Sequence, residues 1–261
     1  MRAAYLAWLA VCLIWGTTYL AIRIALESIP PALIGGIRYT IAGGILSAVL
    51  YLRGERLPPP SYWGGLTLVG AMMIAVGNGG VIWAEQWVPS GFAALLVAAS
   101  PFWMAGIEAL LPGGERLTVR VIGGLLIGFS GIVLLVWPDL TVGGAQGRQF
   151  ALGVIALQIA CLGWSLGSSY SRRHGREENA LGAAALQMVF GGTIMLVAAT
   201  ILGEWRHLTF TARTLAALMR AGVRGTVPTA PCSVANAMYP PKVIVAPAMR
   251  SSARQNARSG S

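Results

Sequence analysis

Apolar runs of about twenty residues recur along the chain, and short polar stretches part them. That spacing predicts membrane-crossing helices at residues 6–26, 33–52, 62–84, 91–111, 121–137, 150–170 and 180–202. A bilayer core of roughly 30 Å takes about 20 residues rising ~1.5 Å each, and these runs supply that length. The third, fifth, sixth and seventh runs hold no charged residue. The connections have the opposite character. "RGERLPPPS" (53–61) and "LPGGERLT" (111–118) combine proline, glycine and charge, which stop a helix and favour water. The expected fold class is an all-α polytopic membrane protein with about seven transmembrane helices, and its first partner is the lipid bilayer.

Composition agrees. With 56% hydrophobic and 11% charged residues, the chain has too little polar surface for a soluble domain of 261 residues. The run 6–22 is long for a signal peptide and lacks a small-residue cleavage site, so it reads as the first span. Trp8, Trp63, Trp83, Trp87, Trp137 and Trp205 fall near span ends, the depth that amphipathic rings prefer. With the N-terminus in the cytoplasm, Arg2, Arg53, Arg56, Arg116, Arg120, Arg172, Arg173 and Arg176 all lie inside. Only Arg148, Arg206 and Arg213 then lie outside among the loops up to residue 219. The positive-inside rule therefore favours a bacterial inner-membrane protein with a cytoplasmic N-terminus.

The net charge of +10 does not describe a nucleic-acid surface. Residues 1–219 carry 13 basic and 9 acidic groups, and residues 220–261 carry six basic groups and no acid. No nucleic-acid partner is expected. Cys12 and Cys161 sit in apolar runs and Cys232 in the tail, which gives no disulfide framework. His174 and His207 are loop residues, and no HExxH or paired-acid motif is present, so neither enzyme chemistry nor a metal or cofactor is expected.

"CLIW" at 12–15 returns as "CLGW" at 161–164, "ALIGG" at 32–36 as "ALGAA" at 180–184, and "AGGI" at 42–45 as "FGGT" at 190–193. The offset is 148 or 149 throughout. An odd number of spans separates the copies, so the second must enter the membrane inverted. That is the plan of secondary transporters, which bind substrate near the midplane between the halves.

Four stretches carry a family resemblance: "WGTTYLAIR" (15–23), "GGIRYTIAGG" (35–44), "WAEQWVPSGFAALLVAASPFWMAG" (83–106) and "GERLTVRVIGGLLIGFSGIVLL" (114–135). Through them the first 219 residues resemble an EamA-type permease of the drug/metabolite transporter superfamily. The resemblance implies ten helices in two five-helix repeats and the movement of small metabolites, often the export of amino acids or related compounds. Residues 1–140 would form the first repeat and 148–219 two helices and the start of a third in the second. From Arg220 the apolar pattern fails; Arg224, five prolines and Lys242 follow. Two arginines at the bilayer centre cost roughly 2.5–3.5 kcal/mol each. The segment 220–261 is therefore expected to be a disordered tail or the product of a frameshift near residue 220. A chain with a shortened second repeat is expected to insert and to transport poorly.

Several residues offer chemistry at span depth. Arg38, about five residues into the second span, can hold a substrate carboxylate or snorkel to the interface. Its counterpart in the repeat is Gln187. Arg23, nearer the outer end of the first span, snorkels to the interface or pairs with Glu27 at i+4. Glu85 closes the third span on the same side, as a substrate contact or a structural ion pair. Trp15 and Trp164 occupy matching places and serve either to stack on substrate or to pack. Asn78 in "GNGG" (77–80) marks irregular backbone beside a polar cavity or glycines in close packing. Pro101 must kink the fourth helix, and a gating hinge is the bolder reading. Glu108 either takes up protons in a coupled cycle or reaches the cytoplasmic interface. Gly124, Gly128 and Gly131 are expected to form a packing face.

The leading function is a secondary carrier, expected to export a small polar or zwitterionic metabolite by alternating access. A non-catalytic membrane subunit that needs a partner chain, and an intramembrane enzyme, are the alternatives. A second copy of the chain is a candidate partner, as a homodimer.

Overall fold

The computed structural model describes Tyr5, residues 17–114, 117–141, 144–174, 179–209, Thr211 and Thr214. Trp15, Cys12, most of the first expected span and the tail from residue 215 lie outside the described residues. Among those described, every regular element is helical, and six stretches are long and apolar enough to cross a membrane: Pro31–Leu52, Pro60–Ala84, Ser90–Leu110, Val119–Pro138, Gln146–His174 and Ala180–Ile201. The chain is an all-α polytopic membrane protein.

Residues 17–25 form the described part of α1. Helix α2 (Pro31–Leu52) starts with proline in its first turn, where the missing N–H costs nothing. The Glu204 carboxylate accepts from the backbone N–H groups of Ala32 and Leu33 at 3.4 and 3.0 Å, a negative charge at the positive helix end. Helix α9 (Ala180–Ile201) is capped by Asn179, whose side chain accepts from Gly182 N–H at 2.9 Å. It ends before Gly203, at φ 70°, a conformation glycine adopts without strain.

Helices α2 and α9 pack antiparallel through their glycines. A Cβ on Gly35 would meet Met195, one on Gly36 Leu196, one on Gly43 the Ala185 carbonyl at 2.7 Å, and one on Gly192 the Thr40 N–H at 2.6 Å. Residue numbers rise on one helix as they fall on the other. Without water to drive apolar association, such backbone approach is what holds helices together in lipid.

The third span is not one regular helix. Helix α3 (Trp63–Gly70) widens into a π-helical stretch, Ala71–Asn78, before α4 (Gly79–Ala84) resumes. Asn78 Nδ2 donates to the Met73 carbonyl at 2.9 Å inside the widened turn. The shifted register presents bare backbone to α8 (Gly144–His174): a Cβ on Gly77 would stand 1.9 Å from the Trp164 ring, and one on Gly80 would lie 3.1 Å from Ala160.

The fourth span is divided. Helix α5 (Ser90–Val97) and α6 (Ser100–Leu110) meet at Ala98–Ala99, with Pro101 in the first turn of α6. The expected kink is thus a full break. Proline at 101 cannot donate to Val97, and the freed carbonyl accepts from Ser100 Oγ at 2.6 Å instead.

Helix α7 (Val119–Thr141) corrects another expectation. Only 6% of its apolar stretch is buried, and a Cβ on Gly124, Gly128 or Gly131 would meet nothing within 4 Å among the described residues. These glycines line an open apolar groove with Leu95, Ala98 and Phe102 rather than a tight helix contact.

Candidate functional site: a polar seam between the fourth and sixth spans

Helix α8 carries Gln158, Cys161, Ser165, Ser169 and Arg172 at steps of three or four, with Ser168 beside Ser169, so they share one face. That face meets α5 and α6. Trp103 Nε1 donates to Gln158 Oε1 at 2.9 Å, and Ser100 Oγ lies 3.5 Å from Cys161 Sγ. Trp103 stands three residues from residue 100, the midpoint of its span, and Gln158 two residues from residue 160, the midpoint of its own. The pair therefore stands near the midpoint of both apolar helices. Gln158 uses its carbonyl for the indole, and its amide N–H groups remain as donors.

The seam ends on charge. Glu108 takes Arg172 at 2.6 Å and Arg173 at 3.0 Å, and Ser169 Oγ donates to it at 2.8 Å. Arg173 also donates to the Pro112 carbonyl at 2.9 Å. The Glu108 side chain is 23% exposed, so this network is partly screened by solvent.

At the opposite end stands Glu85, directly after α4. It is fully buried, and neither carboxylate oxygen has a hydrogen-bond partner among the described residues. Arg23 Nη1 donates to the Glu85 backbone carbonyl, not to its carboxylate. Beside it a groove of about 450 Å³ is lined by Gln86, Trp87, Phe92, Gln149 and Phe150.

The other expected site residues are dispersed. Arg38 is 8% exposed; its guanidinium carbon lies 5.0 Å from the centroid of the Tyr39 ring, and its Nε has no partner among the described residues. No described hydrogen bond joins Arg38 to Arg23, Glu85 or Gln187. Gln187 is half-buried on α9, with its backbone carbonyl against Gly70. Trp164 packs on Gly77, and Asn78 bonds within its own span. Trp103 and Gln158 were not singled out from sequence, nor was the pairing of Glu108 with Arg172 and Arg173. The signal was the recurrence of polar residues every three or four positions through the sixth apolar run.

Comparison with known proteins bears on this arrangement. Residues 2–137, 136 of the 261, match the family model described as the EamA-like transporter family. The chain is 37% identical over 196 residues to the uncharacterized inner membrane transporter YedA of Escherichia coli K12, covering 75% of this chain and 61% of that protein. It is 28% identical over 196 residues to the uncharacterized transporter YvbV of Bacillus subtilis, with the same coverage of each. A "Probable amino-acid metabolite efflux pump" of Escherichia coli K12 is 24% identical over 171 residues, 63% of this chain and 52% of that one. The chain thus spans about three-fifths of the length of the first two relatives. A protein crystal structure 23% identical in sequence superposes with a TM-score of 0.55 over 82% of this chain and 77% of that one, a likeness of fold. The match over more than half of its length shows that the chain belongs to the EamA-like transporter family.

Proposed function

We propose that the chain is a secondary carrier of small polar or zwitterionic metabolites, amino acids or compounds like them, working by alternating access between two inverted halves. The observation that carries this reading is the Trp103–Gln158 pair at mid-depth, in a seam between an element of residues 1–140 and one of residues 148–219. A midplane site between halves is where such carriers hold their cargo. An indole face and free amide donors suit a small molecule with both apolar and polar parts.

The antiparallel pairing of α2 and α9 supports the inverted plan, because these are the equivalent helices at an offset of 148–149 residues. Equivalent elements that meet antiparallel are what a two-fold axis in the membrane plane produces. Outward transport follows the efflux pump among the relatives. A multi-pass location in a bacterial inner membrane follows the relative named for that membrane, and the arginine distribution supports a cytoplasmic N-terminus.

The test is saturable binding of radiolabelled amino acids, presented as a panel to the purified chain in lipid nanodiscs. At least one is expected to bind, and Gln158→Leu is expected to weaken it about tenfold, the effect of losing one buried hydrogen bond of roughly 1.4 kcal/mol. Absence of saturable binding across the panel would overturn the reading.

A further inference from the structure

Glu85 and Glu108 lie at opposite ends of the bundle, and among the described residues only the Glu108 carboxylate has hydrogen-bond partners. A carboxylate with zero exposure and no hydrogen bond to either oxygen is an expensive ion, and the neutral acid avoids that cost. The groups facing Glu85 are Arg23 and Tyr19, both from α1; Tyr39 of α2 and Cys161 of α8 lie within electrostatic reach of Tyr19. Arg23 is the one cation among them, and it spends its hydrogen bond on the Glu85 main chain. The carboxyl therefore faces a guanidinium that is held near it and not engaged with it. One residue further on, Gln86 and Trp87 line the open groove, so water is a short displacement away.

We propose that Glu85 is a proton-binding site, occupied in this conformation and emptied when water of the neighbouring groove reaches its carboxyl. On release the O–H bond of the carboxyl breaks, the proton passes to water in the groove, and the electron pair stays on the carboxylate. Arg23 moves from the main-chain carbonyl to the carboxylate and neutralises it. On closure water leaves, the ion pair is broken, and a proton returns to the carboxyl. The bistable element is the Arg23 side chain, with two acceptors on the same residue. This assignment deepens the carrier reading, since an exchangeable proton beside the path is a coupling ion.

Infrared difference spectroscopy on the purified chain in nanodiscs tests it without any transported substrate. The expected result is a protonated-carboxyl C=O band in the wild type that persists at about pH 7, where an ordinary glutamate with a pKa near 4.3 is ionised. The band is lost in Glu85→Gln and shifts on exchange into heavy water. Glu85→Asp, which keeps the carboxyl, retains a displaced band and covers the case in which the amide variant does not fold. Absence of such a band from the wild type at that pH, or its persistence unchanged in Glu85→Gln, overturns the proposal. The two readings fail separately: a Glu85 band with no amino-acid binding removes the carrier and leaves the proton site, and binding without the band does the reverse.

Discussion

The two ends of the bundle use the same residue type in opposite ways. Glu108 sits where α6 and α8 leave the apolar layer, takes two arginines and a serine, and keeps contact with solvent. Glu85 sits at the far end of α4, sealed from solvent, with its carboxylate oxygens unbonded among the described residues and Arg23 committed to the main chain. A satisfied network fixes two helices against each other, and breaking it exposes only groups that water can solvate. An unsatisfied buried acid fixes nothing by bonding; its cost depends on its protonation and on access to water. The comparison teaches that charge near a span end is no guide to role until its partners are known.

The largest effect is expected where a second cation is forced on the sealed end. Glu85→Lys places an ammonium beside Arg23 without water or counter-charge, and a loss of about 3–5 kcal/mol is expected, seen as failure to recover folded protein in detergent. Recovery at wild-type yield and melting temperature would mean that Glu85 reaches water, and the contrast would vanish. Next comes Glu108→Ala, which removes the shared acceptor of Arg172, Arg173 and Ser169. Roughly 1–2 kcal/mol is expected in thermal unfolding, shrinking as salt is added because the site is partly exposed. The smallest effect belongs to Arg172→Ala, about 0.5 kcal/mol, since Arg173 stays on the other carboxylate oxygen. A larger loss there than in Glu108→Ala would show that Arg172 has a role beyond this network.

The spans were legible because lipid demands long uninterrupted apolar runs, and the helices Pro31–Leu52 and Ala180–Ile201 fall within two residues of the runs 33–52 and 180–202. The break before Pro101 was half legible: proline announces a lost hydrogen bond, but that Ser100 would replace it depends on a rotamer. The π-helical stretch Ala71–Asn78 was not legible, since hydropathy is blind to an i→i+5 register. The glycines show the same limit. Gly43 and Gly128 sit in similar small-residue stretches, yet one touches a facing backbone and the other meets no described neighbour, and only the tertiary arrangement separates them. Glu85 and Glu108 were visible as charges at span ends. Their partners were not, because Arg23 lies 62 positions from one and Arg172 lies 64 from the other.

The inverted arrangement of the two halves underlies the carrier proposal, and single-cysteine labelling tests it most directly. Gly54 follows α2 and Gly203 follows α9, which the proposed repeat makes its equivalent. With Cys12, Cys161 and Cys232 replaced, cysteine at 203 is expected to react with a membrane-impermeant maleimide on cells whose inner membrane is intact, and cysteine at 54 only after that membrane is permeabilised. Labelling of both positions from the same side would mean that α2 and α9 cross in the same direction, and the inverted halves with the midplane site between them would be contradicted.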